Sequence, residues 1–207
     1  AHPAVGRTID PQAIYDYLYF HTIPAPRSLY KGVHKLLPGQ TLTLKNGQLS
    51  TGYYWQADYT PVDAGFDRHR RDFRAVLDQA VRDADAPATA AFLSGGTDSS
   101  TVVGALTAVR GAPVDTFSIG FDADGFDEME YARCAVERYG SRPHEYYLKP
   151  ADIVTAIPVI AREYDEPFGN ESAVPTYFCA KAAHDAGFAH MLAGDGGDEI
   201  FGGNARY

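Results

Sequence analysis

The run Ala90-Ala91-Phe92-Leu93-Ser94-Gly95-Gly96-Thr97-Asp98-Ser99-Ser100 constrains this chain more than any other stretch. A short apolar strand empties into two glycines, an aspartate and three serines, and an apolar helical segment follows from Thr101 to Val109. Strand, tight turn and helix start in that order expose backbone N–H groups that lack partners, at the positive end of a helix dipole. Such a turn binds anions. Glycines at 95 and 96 permit positive φ and close approach of the backbone. The hydroxyls of Ser94, Ser99 and Ser100 add donors, and Asp98 is placed to hold a metal ion.

The run lacks the lysine of the G-x-x-x-x-G-K-[ST] triphosphate loop; no lysine lies between Lys45 and Lys149. It suits pyrophosphate held as a leaving group, with Mg²⁺ offsetting its charge. A second segment pairs with it. Phe188 to Ala193 reads as a buried strand and runs into Gly194-Asp195-Gly196-Gly197-Asp198-Glu199-Ile200-Phe201-Gly202-Gly203, an acidic, glycine-spaced loop. In open α/β sheets ligands bind at the carboxyl ends of strands. Mg²⁺ bound to a nucleotide takes one or two protein carboxylates, and Asp98 and Asp198 would supply them if their strands are neighbours. An EF-hand is excluded by the spacing.

Elsewhere the pattern is alternating. Strands are expected at 88–93, 114–119, 144–148 and 188–193, and helices at 67–84, 99–109, 127–139, 151–164 and 173–186, with Pro158 kinking or dividing its helix. Alternation of this kind means a doubly wound parallel sheet in an α/β fold. Before it, Pro11 to Phe20 reads as a short amphipathic helix whose aromatic residues belong to a core. Segments 29–33, 40–44 and 49–55 read as strands, the last two joined at Lys45-Asn46-Gly47-Gln48. Residues 60–65 read as a linker. The helix over 67–84 carries Phe73, Val76, Leu77, Ala80 and Val81 on one face.

Ser94-Gly95-Gly96-Thr97-Asp98-Ser99-Ser100 resembles the pyrophosphate loop of the N-type ATP pyrophosphatases. The 194–203 segment, with Arg206 and Tyr207, resembles the matching motif of the glutamine-hydrolysing asparagine synthetases. Phe117-Ser118-Ile119-Gly120-Phe121 is similar to that family's adenosine-lining strand. Asp165-Glu166-Pro167 and Ser172 to Tyr177 are similar to the segment preceding the last motif. Residues 23–27, 35–39 and 54–55 resemble the end of its glutaminase domain. Thr97 stands where leucine is common, Glu171 where serine is frequent, and Asp195 where some relatives place a glutamate.

The resemblance implies an adenine nucleotide α-hydrolase-like synthetase domain over 61–207, preceded at 1–60 by the small α+β tail of a glutaminase domain. It implies ATP and Mg²⁺ as cofactors. Phe92, Ser94, Gly95, Gly96, Asp98, Ser99, Ser100, Ile119 and Gly194 would bind ATP and pyrophosphate. Asp98 and Asp198 would hold the metal, and Asp195 and Glu199 would act in catalysis. The reaction implied is adenylation of a carboxylate, aspartate first, then attack by ammonia from the glutaminase domain to give asparagine, AMP and pyrophosphate. The same chemistry on a sugar acid, a β-lactam precursor or a peptide is the alternative. A tRNA-modifying pyrophosphatase and a non-catalytic nucleotide-binding module rank lower.

That glutaminase domain begins with a nucleophilic cysteine, whereas here the first cysteine is Cys134. The resemblance therefore implies an internal piece, inactive alone, whose exposed apolar surface makes it a homodimer, a larger oligomer or a sticky monomer. A net charge of −9 argues against a nucleic-acid partner. No apolar run approaches membrane-spanning length. Cys134 and Cys179 read as buried thiols of a cytoplasmic protein, and the seven histidines as structural or surface groups.

Overall fold

The computed structural model describes residues 2–122 and 127–203. The chain forms two compact units: residues 1–63 with 159–171, and residues 64–158 with 172–207. Arg206 and Tyr207 lie outside the described residues.

In the first unit, α1 (Pro11–Phe20) starts where the Asp10 carboxylate accepts from the Gln12 N–H at 3.1 Å, with proline in the first turn. It ends at His21 in the left-handed region. Its aromatics do not form the core expected of them. Ala13 is the buried residue of the helix, while Tyr15, Leu18, Tyr19 and Phe20 are 54–71% exposed. A unit this small has too little interior to cover a full aromatic face. β1 (Gln40–Lys45) and β2 (Gln48–Tyr53) pair antiparallel with Leu44 opposite Leu49. Asn46 and Gly47 both take positive φ, the Asn-Gly turn that matches strand twist. Residues 29–33 form no strand; only the isolated bridges Ile9–Tyr30 and Arg27–His34 occur there. Gly32 at φ +78° breaks the extended run.

The second unit contains α2 (Phe66–Ala84), β3 (Thr89–Phe92), α3 (Thr97–Arg110), β4 (Asp115–Phe121), α4 (Met129–Tyr139) and β5 (Arg142–Leu148). Most of α5 (Pro150–Glu163) belongs to it, and α6 (Ala173–Asp185), β6 (His190–Leu192) and α7 (Gly197–Phe201) complete it. The strands form one parallel sheet in the order β5-β4-β3-β6. The doubly wound α/β fold read from the alternation is the fold observed. Order reverses between β3 and β6, and that is the switch point where such sheets bind ligands.

Both sheet faces are covered. Ala91 and Leu93 pack with Val103, Leu106, Met129 and Ala132 of α3 and α4; Ala90 and Phe117 pack with Cys179 and Ala183 of α6. β3 and β6 each feed both clusters because neighbouring side chains of a strand point to opposite faces. On α2, Val81 is buried, whereas Val76 is 68% and Phe73 43% exposed; the Phe73 and Phe201 rings pack edge to face, ring centroids 5.4 Å apart. Two expectations fail here. β6 is a half-exposed edge strand, not a buried one. Cys134 is exposed, because it lies on the solvent side of α4 between buried Ala132 and Ala135. Pro158 sits inside a single continuous helix, and the boundary between the units falls directly after it. Among the described residues no helix is long and apolar enough to cross a membrane.

Two aspartates tie this unit together. Arg110 at the end of α3 donates from Nε to Asp85 at 3.0 Å, from a terminal nitrogen to the same carboxylate, and to the Thr89 carbonyl at 3.0 Å. These bonds hold the Asp85 carboxyl below its ordinary range. Burial pushes Asp115 upward, but hydrogen bonds from Arg142 and His144 overcome it and leave it lowered as well. A depressed carboxylate stabilises the fold above its unfolded pKa, and that stability is lost as pH falls through the folded value. Urea midpoints should therefore hold steady from neutral pH to pH 4 and drop below it. Arg110→Met should flatten the drop and cost about 2 kcal/mol at pH 7.

Candidate functional site

The loop between β3 and α3 is built by its own side chains. Leu93 N–H donates to the Phe117 carbonyl at 2.9 Å, and Ser118 Oγ donates to the Leu93 carbonyl at 2.6 Å, so β4 fixes the end of β3. The Ser94 and Ser99 hydroxyls lie 2.9 Å apart, and Ser94 N–H donates to Ser99 Oγ at 3.2 Å. Gly96 N–H donates to Ser94 Oγ at 3.3 Å. Gly95 takes φ +88°. Gly96 is the N-cap of α3 and supplies no capping side chain. The first turn of the helix thus stays open for an anion.

The acidic segment folds against this loop. Gly194 lies so close to α3 that a Cβ there would sit 2.7 Å from the Asp98 carbonyl carbon and the Ser99 nitrogen. Gly197 faces the Asp98 carboxylate, and Gly203 faces that of Asp198; a Cβ at either would overlap a carboxylate oxygen. Gly194, Gly197 and Gly203 are thus contact residues, whereas Gly196 and Gly202 have open space around them. Nor is 194–203 a loop throughout: Gly196 at φ +92° starts α7.

Both segments line one cleft of about 630 Å³, within the roughly 300–1,000 Å³ of ordinary ligand sites. Phe92, Ser94, Asp98, Ser99, Ile119, Gly194, Asp195, Asp198 and Glu199 line it, so nine of the residues singled out in the sequence come together. Gly95, Gly96 and Ser100 are not lining residues. Gly95 packs on the first turn of α4, Gly96 accepts the Ser100 N–H at 3.1 Å, and Ser100 lies inside α3.

Phe117 and Phe121, on the strand that resembles the family's adenosine-lining one, also line the cleft, as do Glu128, Pro175, Thr176 and Cys179, which were not assigned to it from the sequence. Phe117 and Phe121 share the Ile119 face of β4 by alternation. The α6 residues were not assigned, because nothing in a helical repeat says that its face borders a ligand. One end of the cleft is apolar and aromatic and the other carries hydroxyls and carboxylates. That division suits a nucleoside joined to an anion.

The carboxylates fit a hard cation such as Mg²⁺ by donor type. Asp98 lies in a cradle that only glycine at 197 leaves open. Among the described residues, however, no group of three or more His, Cys, Asp or Glu gathers as a ready metal cage. Burial pushes the Cys179 thiol up to about 12. Since thiolate is the reactive form, Cys134 alone should react with a disulfide reagent at pH 8 in the native protein, and both thiols in denaturant. Two fast thiols in the native state would contradict the buried floor of the cleft.

Comparison with known proteins shows the chain's family. Residues 72–207 match the asparagine synthase family model, and residues 1–55 match that of a glutamine amidotransferase domain. The chain belongs to the asparagine synthase family. It is 37% identical over 204 residues to a putative glutamine-hydrolysing asparagine synthetase of Methanocaldococcus jannaschii, covering 94% of this chain and 38% of that protein. It is 31% identical over 203 residues to asparagine synthetase 1 of Bacillus subtilis, covering 96% of this chain and 32% of that protein. The chain thus spans about a third of the length of these relatives. The solved NMN synthetase of Francisella tularensis aligns at 15% identity and a TM-score of 0.40, over 59% of this chain and 52% of that one.

Proposed function

We propose that the protein containing this chain forms an amide at the expense of ATP, on the side-chain carboxylate of aspartate and with ammonia drawn from glutamine. What carries the reading is the convergence of an open helix N-terminus and an acidic segment in one cleft at the sheet's switch point, in a member of the asparagine synthase family. A carboxylate oxygen attacks the α-phosphorus of ATP, the bond to the bridging oxygen breaks, and pyrophosphate leaves. Ammonia then attacks the acyl carbon of the adenylate, AMP departs, and the nitrogen loses a proton.

In this reading Ser94, Gly95, Gly96 and Ser99 cradle pyrophosphate, with Ser100 one position further along α3. Phe92, Ile119 and Gly194 flank the adenosine. Asp195 and Glu199 line the cleft where protons must move. Asp98 and Asp198 would hold Mg²⁺, which when bound offsets the charge of the departing pyrophosphate. The protein's contribution is positioning and preorganised N–H donors.

The test is ATP–pyrophosphate exchange by the intact protein, run with a panel of carboxylates. Exchange that depends on aspartate is the expected result. Exchange only with another acid would move the substrate and keep the chemistry. No exchange with any acid would overturn adenylation.

A further inference from the structure

The segment between α5 and α6 belongs to one family half by sequence and to the other unit by structure. Residues 159–171 fall within the 72–207 stretch matched to asparagine synthase, yet they fold in the unit that holds residues 1–55, matched to the amidotransferase domain. Glu166 is the fastening. Its Oε1 accepts from the Leu29 N–H at 2.9 Å and its Oε2 from Lys35 Nζ at 2.5 Å. The same ammonium donates to the carbonyl of Ile23, a residue only 2% exposed, at 2.5 Å. Three positions on, Gly169 N–H donates to the His21 carbonyl at 2.8 Å, and a Cβ at 169 would press on the His21 side chain at 3.0 Å.

We propose that Glu166 is a positioning residue: it joins the synthetase-matched chain to the amidotransferase-matched tail and so sets what share of the ammonia released from glutamine ends in amide. This rests on the amide-forming reading above. Both carboxylate oxygens are spent on residues 23–35, and with side-chain exposures of 35% for Lys35 and 22% for Glu166 the pair is partly shielded from water. A charge-assisted bond in such a setting is stronger than a neutral one. None of Glu166, Lys35 and Leu29 lines the cleft, and every cleft residue belongs to the other unit. Losing the fastening therefore leaves the adenylating machinery intact while releasing the tail from the segment that leads into α6. Free ammonia needs no such join, whereas ammonia made from glutamine does.

The experiment compares amide formation from glutamine with that from added ammonium, together with glutamine hydrolysed, in the intact protein and in Glu166→Ala, Glu166→Gln and Lys35→Met. Glu166→Ala should keep ammonium-supported synthesis within about threefold and lower the amide formed per glutamine hydrolysed by about tenfold, the scale of one charge-assisted hydrogen bond. Glu166→Gln keeps an acceptor for Leu29 N–H and should fall between it and the native protein, as should Lys35→Met. These two milder variants decide the matter if Glu166→Ala does not fold. An unchanged ratio, or equal loss from both nitrogen sources, in a protein whose native form uses both would overturn the inference alone. A native protein that forms no amide from either source would overturn the amide-forming reading and this inference with it.

Discussion

Gly95→Ala should destabilise the second unit by about 2–6 kcal/mol and abolish nucleotide binding, although it adds one methyl group. Two effects add. Gly95 is held at φ +88°, where an L residue is strained by roughly 1–3 kcal/mol. Its Cβ would lie 2.5 Å from the Ala132 nitrogen and 2.7 Å from the Tyr131 carbonyl carbon. These are backbone atoms of the first turn of α4, which cannot rotate away, so overpacking adds about 1–3 kcal/mol more. Either α4 moves, disturbing buried Met129 and Ala132, or the loop abandons the conformation that opens α3 to an anion. A melting temperature lower by about 7–22 °C is expected for a unit of this size. Gly111→Ala is the control: φ is +62° and nothing lies within 4 Å of its Cβ, so only the strain of about 1–2 kcal/mol remains. Equal effects at the two positions would refute the close approach of α4 to the loop.

The contrast between those two glycines shows what a sequence conveys. That Gly95 and Gly96 form a turn at the head of a helix is local, set by residue types within a few positions, and it was legible. That α4 leaves no room for a Cβ at Gly95 depends on residues some 36 positions away and was not. The same division runs through the site. Phe92, Ser94, Asp98 and Asp195 stand beside their own strand ends, where topology puts ligands. Thr176 and Cys179 reach the cleft only because α6 packs on the face of the sheet that carries Phe117. The partners of Glu166 lie 131 and 137 residues before it in sequence, beyond any local pattern. Errors of the other kind came from taking apolar character for burial. The aromatics of α1 and Cys134 have the composition and spacing of core residues, but among the described residues no element covers them. Periodicity shows which side of a helix is apolar and not what lies against it.

Asp98→Asn in the intact protein should reduce aspartate-dependent ATP–pyrophosphate exchange by about three orders of magnitude, the scale of removing a principal electrostatic contact in a reacting site, and leave glutamine hydrolysis within about twofold. The substitution keeps size and shape, so the packing of Gly194 and Gly197 on residue 98 is preserved. Stability should change by less than about 1 kcal/mol, since the substitution keeps the shape of the side chain and Asp98 is only partly buried. What disappears is a full negative charge at the start of α3, beside the cleft. On the proposed reading that charge serves a cation shared with Asp198, and the amide cannot replace it as an anionic ligand. Binding of ATP should weaken most when Mg²⁺ is present and little when it is chelated, and this comparison separates lost metal affinity from a distorted loop. On the same reading, hydrolysis of glutamine belongs to the amidotransferase domain, which residues 1–55 of this chain match and which does not include Asp98. Parallel loss of exchange, hydrolysis and melting temperature would instead make Asp98 a structural residue that stands between the two loops, and would remove the metal from the proposal.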